Sequence, residues 1–222
     1  MLRQVPGPPW EMRSPSRLPA PLATVEQRPM ASPRAGFGFS VHTGWATLVA
    51  ITGGFEVVDR RRIDMVDGTD RQRPRFAHHA ARALKPAEAP RLIRAVEALA
   101  FEEAEAALRA AVDVVEPEVV ACGIVVSSRP LTATLDVILD NHSLVHAAEG
   151  ELFRRAIRRA SDALGLEVTE VGARELHARA ADVLGGDVDR HLARIGKTVG
   201  RPWSKDHREA CLAAAIALTA RF

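Results

Sequence analysis

The sequence predicts an α/β domain built on a mixed β-sheet, and three observations carry that prediction. Apolar, β-rich segments punctuated by glycine crowd residues 36 to 65. A continuous apolar run spans Val119 to Val126, and long segments of helical period separate the rest. The first is the pattern of an antiparallel meander, the second that of a strand buried on both faces, and the third that of crossover connections.

Taken in order, Phe37-Gly38-Phe39-Ser40-Val41 alternates as a strand, and His42-Thr43-Gly44 supplies turn chemistry. Trp45 to Ile51 forms the second strand, Gly53-Gly54 a tight hairpin, and Phe55 to Met65 the third strand, whose Arg60-Arg61-Arg62 mark an exposed edge. A short helical patch at Phe76 to Leu84 precedes a long helix from Pro86 to Ala111, with Leu92, Ile93, Val96, Leu99 and Ala100 at helical spacing. The fourth strand is bounded by Pro117 and Ser127-Ser128, and helices follow at Leu131 to Leu139 and Ser143 to Leu164. Glu167 to Val171 is a fifth strand, Ala173 to Leu184 and Val188 to Ile195 are helices, and Thr198 to Trp203 is a linker. Ser204 caps a last helix reaching about Ala220. Right-handed crossovers make the later strands parallel to the first and set a site where the sheet changes direction.

Residues 1 to 35 stand apart. They hold eight of the 14 prolines among Arg, Gln, Ser and Ala without an apolar period, and cannot bury enough surface to offset their ordering entropy. A disordered tail is expected there, with one domain over residues 36 to 222. The net charge of +2 and pI near 8.8 also divide at this boundary. Five Arg against two Glu give the tail +3, which leaves 25 basic and 26 acidic side chains in the other 187 residues. The domain therefore exerts no global pull on nucleic acid or an anionic membrane, and anion binding has to rest on local clusters.

Two cysteines, Cys122 and Cys211, exclude a disulfide scaffold and a thiolate-rich zinc site, and read as core residues of a reducing compartment. The longest apolar run, Cys211 to Ala220, falls short of the roughly 20 residues of a spanning helix. No secretory signal opens the chain, so a cytoplasmic location is expected and no membrane partner. The 27 Arg against 3 Lys and the abundance of Ala point to a GC-rich bacterial genome. No phosphate loop, dinucleotide fingerprint or nucleophile elbow is present.

The element order resembles the ribonuclease H-like superfamily, and within it the Holliday-junction-resolvase branch. The likeness lies in Phe39-Ser40-Val41-His42-Thr43-Gly44-Trp45-Ala46, in the buried fourth strand after Glu116-Pro117-Glu118, and in the Ala-rich last helix opened by Asp206-His207. The resemblance implies a five-stranded mixed sheet flanked by helices. It also implies two-metal phosphodiester hydrolysis by carboxylates on strand one, strand four and the last helix. This chain departs from that pattern. Strand one offers Ser40, Val41 and His42, strand four offers Gly123, and of the carboxylates only Asp206 remains. One carboxylate cannot hold two hard cations.

The candidate chemistry is therefore assembled from other residues. His142, His146 and Glu149 lie at i, i+4 and i+7, with zinc-ligand spacing in the first two. His42 at the first turn is expected in one cleft with Asp206 and His207. The expected catalytic residues are His42, Asp206 and Glu149. A divalent ion, where one is bound, falls to His146, Glu149 and Asp206, and ligand contacts to Thr43, Arg154, Arg158, Lys205 and His207. Solvated or capping roles are the alternative for each, with Asp206 beside the Ser204 cap and the Arg154 to Arg159 stripes as a solvent face. Two functions follow as expectations. One is a diverged protein that binds or processes nucleic acid or another phosphate-bearing ligand. The other is a non-catalytic interaction module or homodimer, using the Cys211 to Ala220 helix or the Leu139 to Phe153 face.

Overall fold

The computed structural model describes residues 33–127 and 130–220, so the expected tail of residues 1–35 lies outside the described residues but for its last three. The chain forms β1 (Arg34–His42), β2 (Trp45–Thr52), β3 (Val57–Asp64), α1 (Ala77–Ala81), α2 (Ala89–Val112) and β4 (Glu118–Val126). It continues through α3 (Leu135–Asp140), α4 (His142–Ala163), β5 (Glu167–Gly172), α5 (Leu176–Leu184), α6 (Val188–Val199) and α7 (Lys205–Thr219). The five strands make one sheet in the order β3-β2-β1-β4-β5. β2 is antiparallel to β1 and β3, while β4 and β5 run parallel to β1 and to each other. This is the α/β mixed sheet that the sequence pattern and the ribonuclease H-like resemblance imply.

Strand periodicity divides the two faces. Ala35, Phe37 and Phe39 of β1, with Ala46, Leu48, Cys122 and Ile124, pack on Val96 and Ala100 of α2 and on Leu152, Phe153 and Ala156 of α4. The intervening residues Gly36, Gly38, Ser40 and His42 face α7. Gly38 of β1 sits in register with Gly123 of β4, and together they clear a groove for that helix. A Cβ on Gly38 would lie 1.8 Å from the Ala210 carbonyl oxygen, and one on Gly123 2.1 Å from that of Ala213. The Ala-rich composition of α7 and the two glycines thus serve one close helix-to-sheet contact.

Every residue of α7 from Ala210 to Leu218 is buried. The helix packs on β1, β4 and β2 and is covered by α5, which removes it from use as a dimer face. Over Leu139 to Phe153, Val145, Ala148, Leu152 and Phe153 are buried, whereas residues 140–143, 146 and 147 are exposed. The thiols of Cys122 and Cys211 are pushed up to about 12 by burial, and Ser161 donates to Cys122 Sγ at 3.2 Å, so neither cysteine is poised as a nucleophile.

Local differences from the sequence pattern have physical causes. β1 begins at Arg34 because Arg34 and Ala35 pair with Glu118 and Val119. The turn after β2 places Phe55, rather than a glycine, in the left-handed region at φ 60°, with the Phe55 amide bonded to the Thr52 carbonyl at 2.9 Å and its ring packed on the α7 side. α6 extends to Val199 because Arg60 satisfies the carbonyls beyond its end. Its guanidinium donates to Val199 O at 2.8 Å, Gly200 O at 3.0 Å and Arg201 O at 3.3 Å, and also to Pro202 O. The expected role of Arg60 as an edge charge is thereby corrected.

Candidate functional site

Polar side chains gather at two places, one on each face of the sheet. The first lies where β1 ends beside the start of α7. Ser204 caps α7 in a reciprocal box: its hydroxyl oxygen accepts from the His207 amide at 3.4 Å, and its own amide donates to His207 Nδ1 at 3.3 Å. This start brings Asp206 and Glu209 over the last residues of β1. His42 Nε2 lies 3.1 Å from Asp206 Oδ1, with side chains 38% and 27% exposed. The contact is that of an ion pair when the ring is protonated, without the alignment of a hydrogen bond.

Ser40 donates to Glu209 Oε2 at 3.3 Å, and Lys205 Nζ lies 3.4 Å from Glu209 Oε1. The His42 ring stacks on Trp45 at 4.1 Å, and the Arg62 guanidinium covers the indole at 4.0 Å. His207 is turned into the Ser204 cap, and its pKa is lowered by burial and by the Arg60 charge against an opposing effect of Asp206. Thr43 is half-buried in the β1–β2 turn.

The second group lies between α1 and α4. Asn141 caps α4 by accepting from the Leu144 amide at 3.1 Å, which fixes His142 at the first helical position and His146 one turn on. Their Nε2 atoms are 3.0 Å apart. Glu149, one turn further, is only 1% exposed. Its Oε2 meets His78 Nδ1 at 3.3 Å. Its Oε1 takes the His79 amide at 3.0 Å and His79 Nδ1 at 3.2 Å. Burial pushes the Glu149 carboxyl up, but the hydrogen bonds from His78 and His79 outweigh it and hold the group below its ordinary value. An ionised Glu149 accepts at both oxygens, so both rings carry their proton on Nδ1.

The expected four-membered cleft of His42, His146, Glu149 and Asp206 is therefore not assembled. His42 and Asp206 meet on the α7 face, whereas His146 and Glu149 belong to α4 across the sheet, and both oxygens of Glu149 are occupied by α1. The set His146, Glu149 and Asp206 does not converge on one ion. Neither do Arg154 and Arg158 stand ready for an anion. Arg154 Nε pairs with Glu151 at 3.0 Å with little exposure, and Arg158 Nε pairs with Glu170 at 2.6 Å. Sequence reasoning missed Glu209, which has no motif, and the part played by His78 and His79. The signal for the latter was a His-His doublet on a short helix, whose link to Glu149 spans about 70 residues of chain.

The sequence matches no protein-family model and no curated protein. Its fold is similar to that of two solved structures from Thermus thermophilus, RuvC in complex with a Holliday junction substrate and RuvC. The first is 12% identical with a TM-score of 0.48, over 82% of this chain and 91% of that one. The second is 12% identical with a TM-score of 0.45, over 82% and 92%. Among the described residues no helix is long and apolar enough to cross a membrane.

Proposed function

We propose that the chain binds nucleic acid, or another phosphate-bearing ligand, where the end of β1 meets the start of α7, and does not hydrolyse it by the two-metal route. The observation that carries this reading is the His42–Asp206 pair at 3.1 Å. It occupies the place where the sheet changes direction, which is where open α/β sheets take ligands. Two-metal hydrolysis needs several carboxylates converging on hard cations. Here β1 contributes a hydroxyl and an imidazole, the latter beside Asp206, and β4 contributes Gly123 against the α7 backbone.

The groups that remain suit contact with a phosphate. Lys205 is 79% exposed and held only by its pair with Glu209, an exposed pair worth roughly 0–1 kcal/mol, so it exchanges readily for another anion. Arg62, over the Trp45 ring and in an exposed pair with Asp64 at 2.8 Å, is a second cation held by a weak partner. In this reading residues 36–222 are the binding domain and the Pro/Arg-rich residues 1–35 add positive charge.

The test is a salt titration of the untagged chain with labelled branched, duplex and single-stranded DNA and with RNA. Binding that weakens with salt, reduced by Lys205→Glu with Arg62→Glu, and no cleavage in Mg²⁺ or Mn²⁺ is the expected result. Absence of binding at low salt, or Mg²⁺-dependent cleavage lost in Asp206→Asn, overturns it.

A protein-interaction module is the second reading. A cavity of about 550 Å³ between α1, α2 and α3, where Leu84 is 40% exposed, favours it.

A further inference from the structure

We propose that His79, His142 and His146 bind one divalent transition-metal ion of the zinc class, with Glu149 as the positioning residue behind His79. This site lies across the sheet from the phosphate-binding edge and is independent of it.

The donor geometry is the first argument. Each of the three histidines offers one ring nitrogen, and these nitrogens all lie within 4.8 Å of one another. Tetrahedral coordination at about 2.0–2.1 Å sets ligand nitrogens about 3.3 Å apart. His142 and His146, at 3.0 Å, are already near that spacing. The three rings stand edge to face, with centroids 4.5 Å, 4.7 Å and 5.7 Å apart. Closing the site thus needs the exposed His142 and His146 rings to move toward His79, whose own ring is held by Glu149.

The Nε2 atoms of His142 and His146 face each other at hydrogen-bond distance, the Nε2–H tautomer of one ring donating to the other. An ion that takes both lone pairs replaces that bond.

Glu149 supplies the second, separate argument. A buried carboxylate that only tied α1 to α4 could do so through His78 and the His79 amide. Its 3.2 Å contact with His79 Nδ1 does something further. It fixes the tautomer in which Nε2 keeps its lone pair, and it holds the ring plane toward His142 and His146. A carboxylate behind a ligating histidine is how metal sites orient their imidazoles. An all-imidazole donor set selects Zn²⁺, Co²⁺, Ni²⁺ or Cu²⁺ over Mg²⁺ and Ca²⁺. Three protein ligands leave a coordination position open, and His79 also lines a hollow of about 490 Å³ with Asp67, Arg75 and Phe76.

The experiment titrates the untagged, chelator-stripped full chain with Co²⁺, read by its visible ligand-field bands, followed by displacement with Zn²⁺. Expected are one ion per chain, no competition by millimolar Mg²⁺, and unchanged uptake in Asp206→Asn. His142→Ala and His146→Ala, both at exposed positions, abolish the bands singly or together. Glu149→Gln weakens binding by about 10–100-fold and shifts the bands of the residual complex, which a purely structural role would not do. Absence of saturable uptake at micromolar Co²⁺, or uptake unchanged in the His142→Ala/His146→Ala double variant, overturns the proposal whatever the outcome of the nucleic-acid titration.

Discussion

Replacing Gly38 by alanine tests the contact that positions the β1–α7 edge. The new methyl carbon would sit 1.8 Å from the Ala210 carbonyl oxygen and 2.6 Å from the Ala214 amide nitrogen, whereas ordinary contact begins at 3.4 Å. The helix would have to retreat by about 1.6 Å. The obstacle is helix backbone, so no side-chain rotation relieves it. Overpacking a well-filled core costs typically ~1–3 kcal/mol and occasionally more, and this geometry belongs at the upper end. Alanine recovers about 0.5–1 kcal/mol in a strand by restricting the unfolded chain.

A net loss of about 2 kcal/mol or more is expected, a large share of the ~5–15 kcal/mol that holds a domain together. The neighbouring glycines give an internal scale. Gly123→Ala, 2.1 Å from the Ala213 oxygen, should cost nearly as much. Gly36→Ala, 3.2 Å from the Ala214 oxygen, should be close to neutral. Urea unfolding of the three variants reads this directly, and with a slope of ~1–3 kcal/mol per molar the Gly38→Ala midpoint falls by roughly 1 M. A Gly38→Ala midpoint equal to wild type, or Gly36→Ala as the worst of the three, refutes the reasoning.

Two further predictions rest on the same end of the molecule. Arg60→Lys should lower stability by about 1–3 kcal/mol, because an ammonium cannot reproduce the guanidinium fork that serves the last carbonyl of α6 and the three that follow it. Thermal melts, with proteolysis near residue 200 as a local probe, check it. His207, whose pKa is lowered from 6.5 by burial and Arg60, accepts in the α7 cap through Nδ1. Its contribution is fully present above about pH 6.5, the unfolded value, and is lost as pH falls through the lower folded value. His207→Gln keeps the cap acceptor without the titration. The wild-type melting temperature should therefore fall more steeply on acidification than that of the variant, and parallel curves would count against this role.

The strands were legible because their signals are local. Alternation in Phe37 to Val41, the unbroken run from Val119 to Val126 and the glycine turns each act within a few residues. The α7 cap was legible too, since Ser204 and His207 are three residues apart. What escaped depends on register and packing. Gly38 and Gly123 look alike as strand glycines until they are seen opposite each other. Arg154 and Arg158 look like free cations until Glu151 and Glu170 are placed beside them. His79 became part of a cluster only when α1 packed on α4.

One geometric fact organises the β1–α7 edge. β1 and α7 run in opposite directions, so chain number falls in one as it rises in the other. Gly36 meets Ala214 and Leu218, Gly38 meets Ala210 and Ala214, Ser40 meets Glu209, and His42 meets Asp206. The contact leaves little room at Gly36, forbids a Cβ at Gly38 and opens at the last two positions, so polar side chains fit at the end of the strand. The period of two that aims Phe37 and Phe39 into the opposite core forces Ser40 and His42 toward α7. Carboxylates at 206 and 209 would therefore confront any acid placed at 40 or 42 in the same tight corner, a like-charge density that Lys205 beside Glu209 offsets only in part. At those positions a hydroxyl instead donates to Glu209 and an imidazole lies beside Asp206, so β1 adds no negative charge to the corner.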